Sequence, residues 1–484
     1  MQLEAILEKH FGYKSFRPGQ KEVIEQLMAG KDVIALLPTG MGKSLCYQLP
    51  GYIFEKPVLI VSPLLSLMQD QVEQMKRLGE KRVVALNSFL NSEDKRYALH
   101  YLEQYRFIFT SPEMLLQPQV QDRLSKMELS LIVVDEAHCI SQWGFDFRPD
   151  YLRIGEWFQL QDRPPVLALS ATATNKVMGD IRSYLHMEDP FEYIHAVDRP
   201  NIHLGRLFFR DKDDKLQWIL DHVKTTAGPG IIYTQSRAKT ESYSALLLSQ
   251  GVRIAAYHAG MEQADRQFIQ HQFLEGELEW IVATNAFGMG VHKSDIRQVI
   301  HDSPPATVAN YMQEIGRAGR DGEDALAILL YAEGDEEFAK FIVTDDLPRE
   351  SHVDAYQQLL VQGQSPSQML VMGEIGETAF RVLNFWMQKQ SPEDVKARLL
   401  DLRLEKFRSV DDMMKIVQAD TCMRELLVSY FGQKIEERPM NCCQHCGIDF
   451  RSIIVERKEE IAIMSESWES RLMQLLLNER NKIS

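Results

Sequence analysis

Short apolar runs punctuate the first 200 residues, each followed by a turn and a longer stretch with apolar positions three and four apart. VIALL (33–37), VLIV (58–61), FIFT (107–110), LIVVD (131–135) and VLALS (166–170) are too short for helices. Being apolar almost throughout, they fit strands covered on both faces. Segments between them, such as SLMQDQVEQMKRLG, carry helical spacing. This alternation predicts an α/β unit with a parallel sheet between two helical layers. It recurs from about 206 to 340 in GIIYT (230–234), VRIAAYH (252–258), WIVAT (280–284), VIH (299–301) and AILLY (327–331). The two halves share a pattern rather than letters, and Arg199-Pro200-Asn201 reads as a Pro-marked linker. From about 345 onward helical periodicity dominates, as in FRVLNFWMQKQ and DDMMKIVQADTCMRELLVSYFG. The expected units are 1–205, 206–340, a helical region at 341–450 with an inserted module near 347–411, and a terminal amphipathic helix at 451–484.

A chain of 484 residues fits roughly three domains. With 45% hydrophobic and 25% charged residues, the composition is that of a folded globular protein rather than a disordered one. No apolar run approaches the ~20 residues that span a bilayer. The opening MQLEAILEKHFGYK also lacks the basic-then-apolar layout of an export signal. A cytoplasmic protein without membrane partners is expected. The net charge of −15, from 54 Lys+Arg against 69 Asp+Glu, argues against nucleic-acid binding by bulk charge. A local basic groove stays compatible with it. Of six cysteines, Cys422, Cys442, Cys443 and Cys446 cluster, which suits a metal site better than a disulfide framework. Cys46 and Cys139 sit beside apolar runs and read as core thiols.

PTGMGKS, comprising Pro38, Thr39, Gly40, Met41, Gly42, Lys43 and Ser44, follows a strand and opens a helix. That is the setting of a phosphate-binding loop. The glycines let backbone N–H groups converge on phosphate oxygens, and the helix N-terminus favours an anion. Lys43 can reach the β- and γ-phosphates, and Ser44 can hold Mg²⁺. The first glycine of the usual pattern is missing, with Leu37 in its place. LIVVDEAH strengthens the reading, because a buried strand ending in Asp135-Glu136 puts one carboxylate by the metal and another near the γ-phosphate. Three thiolates in CCQHC and Cys422 can close around Zn²⁺ as a structural S₄ site, with His445 the reserve ligand.

Taken in order, these motifs resemble superfamily 2 helicases and, within them, the RecQ family. The series runs FGYKSFRPGQ, PTGMGKSLCYQLP, SPLLSLMQDQV, TSPEML, DEAHCISQWGFDFRPDY and SATAT. It continues through IIYTQSR, YHAGM, ATNAFGMGVHKSDIRQVIH and QEIGRAGRDG, and resumes at the cysteines. The resemblance implies two RecA-like lobes facing each other across ATP, plus a helical zinc-binding subdomain. It implies that Gln20 contacts adenine, with Phe16 and Arg17 beside it, and that Gln313 joins the ATP site. Arg320 is implied as the arginine finger, with Arg317 also facing the triphosphate.

Of the aromatic-rich loop, Gln142, Trp143, Phe145, Phe147 and Arg148 are implied to contact DNA or relay its binding; by residue type alone the rings read as core, and their placement directly after DEAH reverses that. His138, Ser170 and Thr172 are implied to couple the halves. Phe145 stands where the family usually has histidine, and Thr234, Asn285 and His292 are milder departures. The implied activity is ATP- and Mg²⁺-dependent 3′→5′ DNA unwinding in recombination and repair. Single-strand-binding protein and recombination factors are implied partners, at the nucleoid. A short form without winged-helix and HRDC-type domains is expected. The competing readings are a DNA-stimulated ATPase or annealing factor, an RNA helicase, and a zinc-dependent binding module with an inactive motor.

Overall fold

The computed structural model describes residues 3–63, 65–87, 90–141, 152–158, 163–285, 287 and 293–457. Seven strands form the first sheet: β1 (Val33–Leu36), β2 (Val58–Val61), β3 (Val83–Leu86), β4 (Phe107–Thr110), β5 (Leu131–Val134), β6 (Val166–Ser170) and β7 (Phe191–Ile194). Their order is β3-β4-β2-β5-β6-β1-β7, and every described pairing is parallel. Each of β1, β2, β4, β5 and β6 is buried along its whole length, because helices cover both faces.

The second sheet holds β8 (Ile202–Phe209), β9 (Gly230–Tyr233), β10 (Ile254–Tyr257), β11 (Trp280–Ala283), β12 (Gln298–His301) and β13 (Ala325–Ala332). Its order is β10-β11-β9-β12-β13-β8, again parallel throughout. The two α/β lobes are those expected. Three strands, however, were not among the runs expected, although β3 is the apolar run VVAL. β3 and β7 are partly exposed edge strands, and β8 is interrupted by Gly205 and Arg206. A division at 205 therefore cuts through β8; the change of sheet falls before Ile202, at the Pro-marked linker.

The helical region is built around one helix, Pro392–Gln418, whose 27 residues span about 40 Å. Ser391 caps its start, its side chain accepting from the Asp394 N–H at 3.2 Å. Val395, Leu399 and Leu402 in its first half share an apolar cluster with Ile181 and Leu185 of lobe one. Val410, Met413 and Val417 in its second half belong to the core of lobe two. At its end, buried Arg206 donates to the carbonyls of Ile416 and Val417, each at 3.0 Å, where a cation also complements the helix dipole. The expected insertion is thus a brace across both lobes.

Cys422 is not inside a helix, as its spacing suggested, but caps the start of helix Met423–Tyr430. The expected terminal helix lies outside the described residues from 458 onward; before it come a short helix, Phe450–Ile453, and a bridge between Thr226 and Glu456. Cys46 and Cys139 are buried, as expected of core thiols. Among the described residues, no helix is long and apolar enough to cross a membrane.

Candidate nucleotide site and thiol cluster

The loop after β1 turns back on itself into helix Leu45–Ile53, with Ser44 at the N-cap making no side-chain capping bond. The turn needs glycine at two places. Gly40 and Gly42 have φ of 90° and 73°, and a Cβ on Gly42 would stand 2.8 Å from Gln20 Nε2. Gln20 Nε2 donates to the Met41 and Gly42 carbonyls at 2.8 and 3.1 Å, and Arg17 donates to the Gly40 carbonyl. The Arg17 backbone N–H in turn holds Gln20 Oε1 at 2.9 Å. Phe16 packs half-buried against Leu45 and its neighbours. The residues implied for adenine recognition therefore shape the phosphate loop itself.

Opposite this loop, β5 delivers Asp135 and Glu136. Lys43 Nζ lies 3.1 Å from Glu136 Oε1. Glu136 adopts φ 49°, a left-handed conformation that costs a residue with a Cβ and clusters at functional sites. Burial raises the Asp135 pKa to about 6, with Glu136 adding to the shift and Lys43 opposing it. Burial also pushes Glu136 upward, but Lys43, His138 and Arg317 together hold it below the usual carboxylate range. For Lys43, burial opposes the charged form, yet Glu136 and Asp135 more than offset it and raise its pKa. His138 is held low, chiefly by burial. Its Nδ1 lies 3.0 Å from Ser170 Oγ and 3.3 Å from Glu136 Oε2, while Ser170 Oγ donates to the Thr172 carbonyl at 2.9 Å. The residues after β5 and β6 thus form one chain of contacts to the base-like carboxylate.

Lobe two closes the site. Thr39 Oγ1 donates to the Gly316 carbonyl at 3.2 Å. The Arg320 side chain packs on the phosphate loop, so that a Cβ on Gly40 would come within 3.3 Å of it. Arg317 is buried, its charge acts on Glu136, and its side chain hydrogen-bonds Tyr233. Burial, reinforced by Arg317 and Arg199, drives the Arg320 pKa down to about 9. A guanidinium held among like charges in a buried cleft is a site for an anion. Gln313 shares a cavity of about 30 Å³ with Pro38, Thr39 and Thr172.

Two residues were read only as linker. Arg199 Nη2 donates to the Gly319 carbonyl at 2.6 Å, and Asn201 Nδ2 donates to Gly319 and Glu323 carbonyls at 2.8 Å. They fix the GRAGR turn that presents Arg317 and Arg320; a polar pair flanking a proline was the one available signal. Gln142, Trp143, Phe145, Phe147, Arg148 and His292 lie outside the described residues.

In the thiol cluster, the Sγ atoms of Cys422, Cys442, Cys443 and Cys446 all lie within 4.8 Å of one another. Cys422 is 3.7 Å from both Cys442 and Cys443, far beyond a disulfide bond and close to the edge, about 3.8 Å, of a tetrahedron with 2.3 Å zinc–sulfur bonds. Both neighbouring cysteines turn inward. Burial opposes ionisation of Cys443, but N–H groups of Cys446 and Met423 bring its pKa down to about 7. The donor set fits a structural Zn²⁺. His445 is outside the cluster, exposed and 3.8 Å from Asp420. Arg424, next to Cys422, was missed: almost wholly buried, it reaches Asp198 at 2.6 Å and the carbonyls of Arg199, Ile202 and Cys442, stapling the thiol region to the interlobe linker.

Two parallel-sheet lobes that meet at a glycine-rich loop, an Asp-Glu pair and an arginine-bearing turn of the second lobe have the arrangement of two-lobed helicase motors. The comparisons agree. Residues 17–181 match the DEAD/DEAH box helicase family, 211–322 the helicase conserved C-terminal domain, and 380–449 the RecQ zinc-binding family. The chain is 42% identical over 488 residues to the probable ATP-dependent DNA helicase RecS of Bacillus subtilis, covering 98% of this chain and 97% of that one. It is 34% identical to the ATP-dependent DNA helicase RecQ of Pasteurella multocida, over 92% of this chain and 61% of that one. This chain belongs to the RecQ family of ATP-dependent DNA helicases.

Among solved structures, the DUF1998 helicase MrfA bound to DNA aligns with a TM-score of 0.57 at 19% identity, over 70% of this chain and 52% of MrfA. S. cerevisiae Dbp5 bound to RNA and ADP BeF3 aligns at 0.55 and 17%, over 72% and 90%. At those identities the likeness concerns the fold alone.

Proposed function

We propose that this chain hydrolyses ATP between its lobes and uses the cycle to move 3′→5′ along single-stranded DNA and separate duplex strands. Its setting would be recombination and repair at the bacterial nucleoid, beside single-strand-binding protein and recombination factors. The observation that carries the reading is the approach of Arg320 to Gly40, which packs the stem of a lobe-two arginine on the loop of Lys43. Hydrolysis that needs both lobes ties each turnover to their opening and closing, and a strand gripped by both is moved by it.

In this scheme Lys43 and the N–H groups of the phosphate loop bind the triphosphate, and Arg320 and Arg317 offset charge on the γ-phosphoryl group. Glu136, ionised because of Lys43, orients and deprotonates the attacking water. Ser44 and Asp135 would hold Mg²⁺, a hydroxyl–carboxylate pair typical of that ion, which when bound supplies electrostatic stabilisation of the phosphates. Gln20 and Arg17, already seated on the loop carbonyls, transmit occupancy of the base pocket to the loop.

The test is strand release from a forked duplex with ATP turnover recorded in parallel. The native chain is expected to do both, and Lys43→Ala and Glu136→Gln to lose both by at least about 10²-fold. Turnover without strand release would replace this reading with a DNA-stimulated ATPase or annealing factor. Unwinding at full rate in either variant would end it.

A further inference from the structure

The segment that joins the lobes runs from one side of the candidate nucleotide site to the other. At its start the His195 N–H donates at 2.9 Å to the carbonyl of Leu36, the last residue of β1 and the root of the phosphate loop. At its end Arg199 Nη2 and Asn201 Nδ2 converge on one acceptor, the Gly319 carbonyl, at 2.6 and 2.8 Å. A carbonyl has two lone pairs, and the linker supplies a donor for each. This carbonyl belongs to the peptide that leads into Arg320. A peptide unit is planar and rigid, so holding its oxygen fixes where the Cα of Arg320 stands. The fit leaves no slack, since a Cβ on Gly319 would collide with the Asn201 side chain.

The thiol region grips the same segment from outside. Gln433 accepts the Val197 N–H at 2.8 Å and donates to the His195 carbonyl at 3.2 Å. Arg424 Nη1 donates to Asp198 at 2.6 Å and to the Arg199 carbonyl at 3.0 Å, while its Nη2 reaches the Cys442 carbonyl at 3.4 Å. Arg424 is only 2% exposed, and bonds held away from water are the firmer ones. Connecting segments ordinarily run over the surface with their polar groups in water. This one is held by side chains along its length, from the root of the phosphate loop to the arginine turn.

We propose that residues 195–201 act as a ruler between the lobes. Arg199 is then a positioning residue that sets the reach of Arg320 towards the phosphate loop, and Arg424 and Gln433 set the ruler from the thiol region. This inference rests on the reading above, in which Arg320 serves hydrolysis across the lobes. A misplaced finger loses contact with the transition state, while the phosphate loop still binds the ground state, so the loss falls on kcat rather than on KM. Charge alone gives the opposite sign. Arg199 is a like charge beside Arg320 and helps to depress its pKa, so on electrostatics its removal would make Arg320 a readier cation and turnover would hold or rise.

The test follows ATP turnover by the full chain with oligothymidylate present, over a range of ATP concentrations, per folded molecule judged from thermal unfolding. Arg199→Met keeps an unbranched stem and removes the donors. It should lower kcat by about ten- to a hundred-fold, with KM for ATP within about two-fold of native. Arg199→Lys, which keeps a donor able to approach the Gly319 carbonyl, should stand between the two. Gln433→Met gives up only the two linker bonds and should lower kcat by about two- to ten-fold. In an Arg320→Ala background neither change should cost more than about two-fold further, because the side chain they position is gone. If their effects multiply with Arg320→Ala, or if Arg199→Met turns over ATP at the native rate or faster, the ruler is wrong and the motor stands. Native kcat in Gln433→Met would remove the thiol region from the device. Native turnover in Arg320→Ala itself would end motor and ruler together.

Discussion

Two buried charge clusters, one in each lobe, show what separates a site from a scaffold. In lobe two, Lys215 is wholly buried and lies 2.7 Å from Asp335 and 3.9 Å from Asp302. Asp302 also takes Lys239 at 2.7 Å and the Tyr243 hydroxyl at 3.0 Å, while Asp335 accepts the Ala332 N–H at 2.9 Å. Two lysines meet two aspartates, and a tyrosine hydroxyl and a backbone N–H add hydrogen bonds to the carboxylates. At the candidate nucleotide site, Lys43 faces both Asp135 and Glu136, Arg317 acts on Glu136, and Arg317 and Arg199 crowd Arg320. Burial first, and then the like charges of Arg317 and Arg199, depress the Arg320 pKa, and Glu136 holds a left-handed backbone. A balanced cluster is finished by the fold. An unbalanced one calls for a ligand, and the expected partner is an anion at the glycine loop and a cation at the thiols.

The comparison breaks most visibly at Arg320. Arg320→Ala should cut ATP turnover by about 10³-fold or more, the usual contribution of an arginine finger. Its thermal midpoint without nucleotide should be unchanged or raised. The sign follows from the depressed pKa: at neutral pH the charged form is disfavoured in the folded protein relative to the unfolded chain, so removing it takes away a cost. A fall in turnover below ten-fold, or a marked loss of stability, would place Arg320 with the scaffold.

Lys215→Met should show the reverse. Leaving Asp335 and Asp302 buried without that cation should cost about 3–5 kcal/mol in urea unfolding of lobe two, with turnover per folded molecule near native. Lys215→Met with Asp335→Leu should recover much of the loss. A large fall in turnover at native stability would show that the balanced cluster works in the reaction.

Chelation tests the third cluster. One equivalent of zinc should be found by native mass spectrometry, and Cys443→Ser should lower both the zinc content and the melting temperature. A metal-free native chain of equal stability would contradict it. The smallest effect is expected at Ser170→Ala, which removes the hydroxyl 3.0 Å from His138 Nδ1 and should cost about 1 kcal/mol. Its turnover in the presence of DNA should fall more than its basal turnover; equal falls would assign Ser170 to packing alone.

The legible parts of this chain were those whose chemistry is local. PTGMGKS needs only its own glycines and the helix it starts, and DEAH needs only the end of a buried strand. CCQHC reads as a metal site because its three thiols with Cys422 match the ligand count of a tetrahedral zinc site. The edge strand β7 was silent because only part of its surface is buried, and β8 because His203, Gly205 and Arg206 break its apolar run; β3, with VVAL, carried a legible apolar run. Arg199, Asn201, Arg206 and Arg424 were equally silent. Each is a polar residue whose partner is a backbone carbonyl at least 18 positions away, and no local pattern records such a pairing.

Local sequence therefore determined the α/β class, the candidate phosphate loop, the thiol cluster and the order of the motifs, because each depends on periodicity or on neighbours along the chain. Only the tertiary structure decided that the arginine turn rests on the phosphate loop, that both adjacent cysteines point inward, and that the helical insertion spans the lobes as a brace. Those outcomes depend on which distant surfaces bury one another. That balance of packing and desolvation acts across hundreds of residues and leaves no signature in any short stretch of letters.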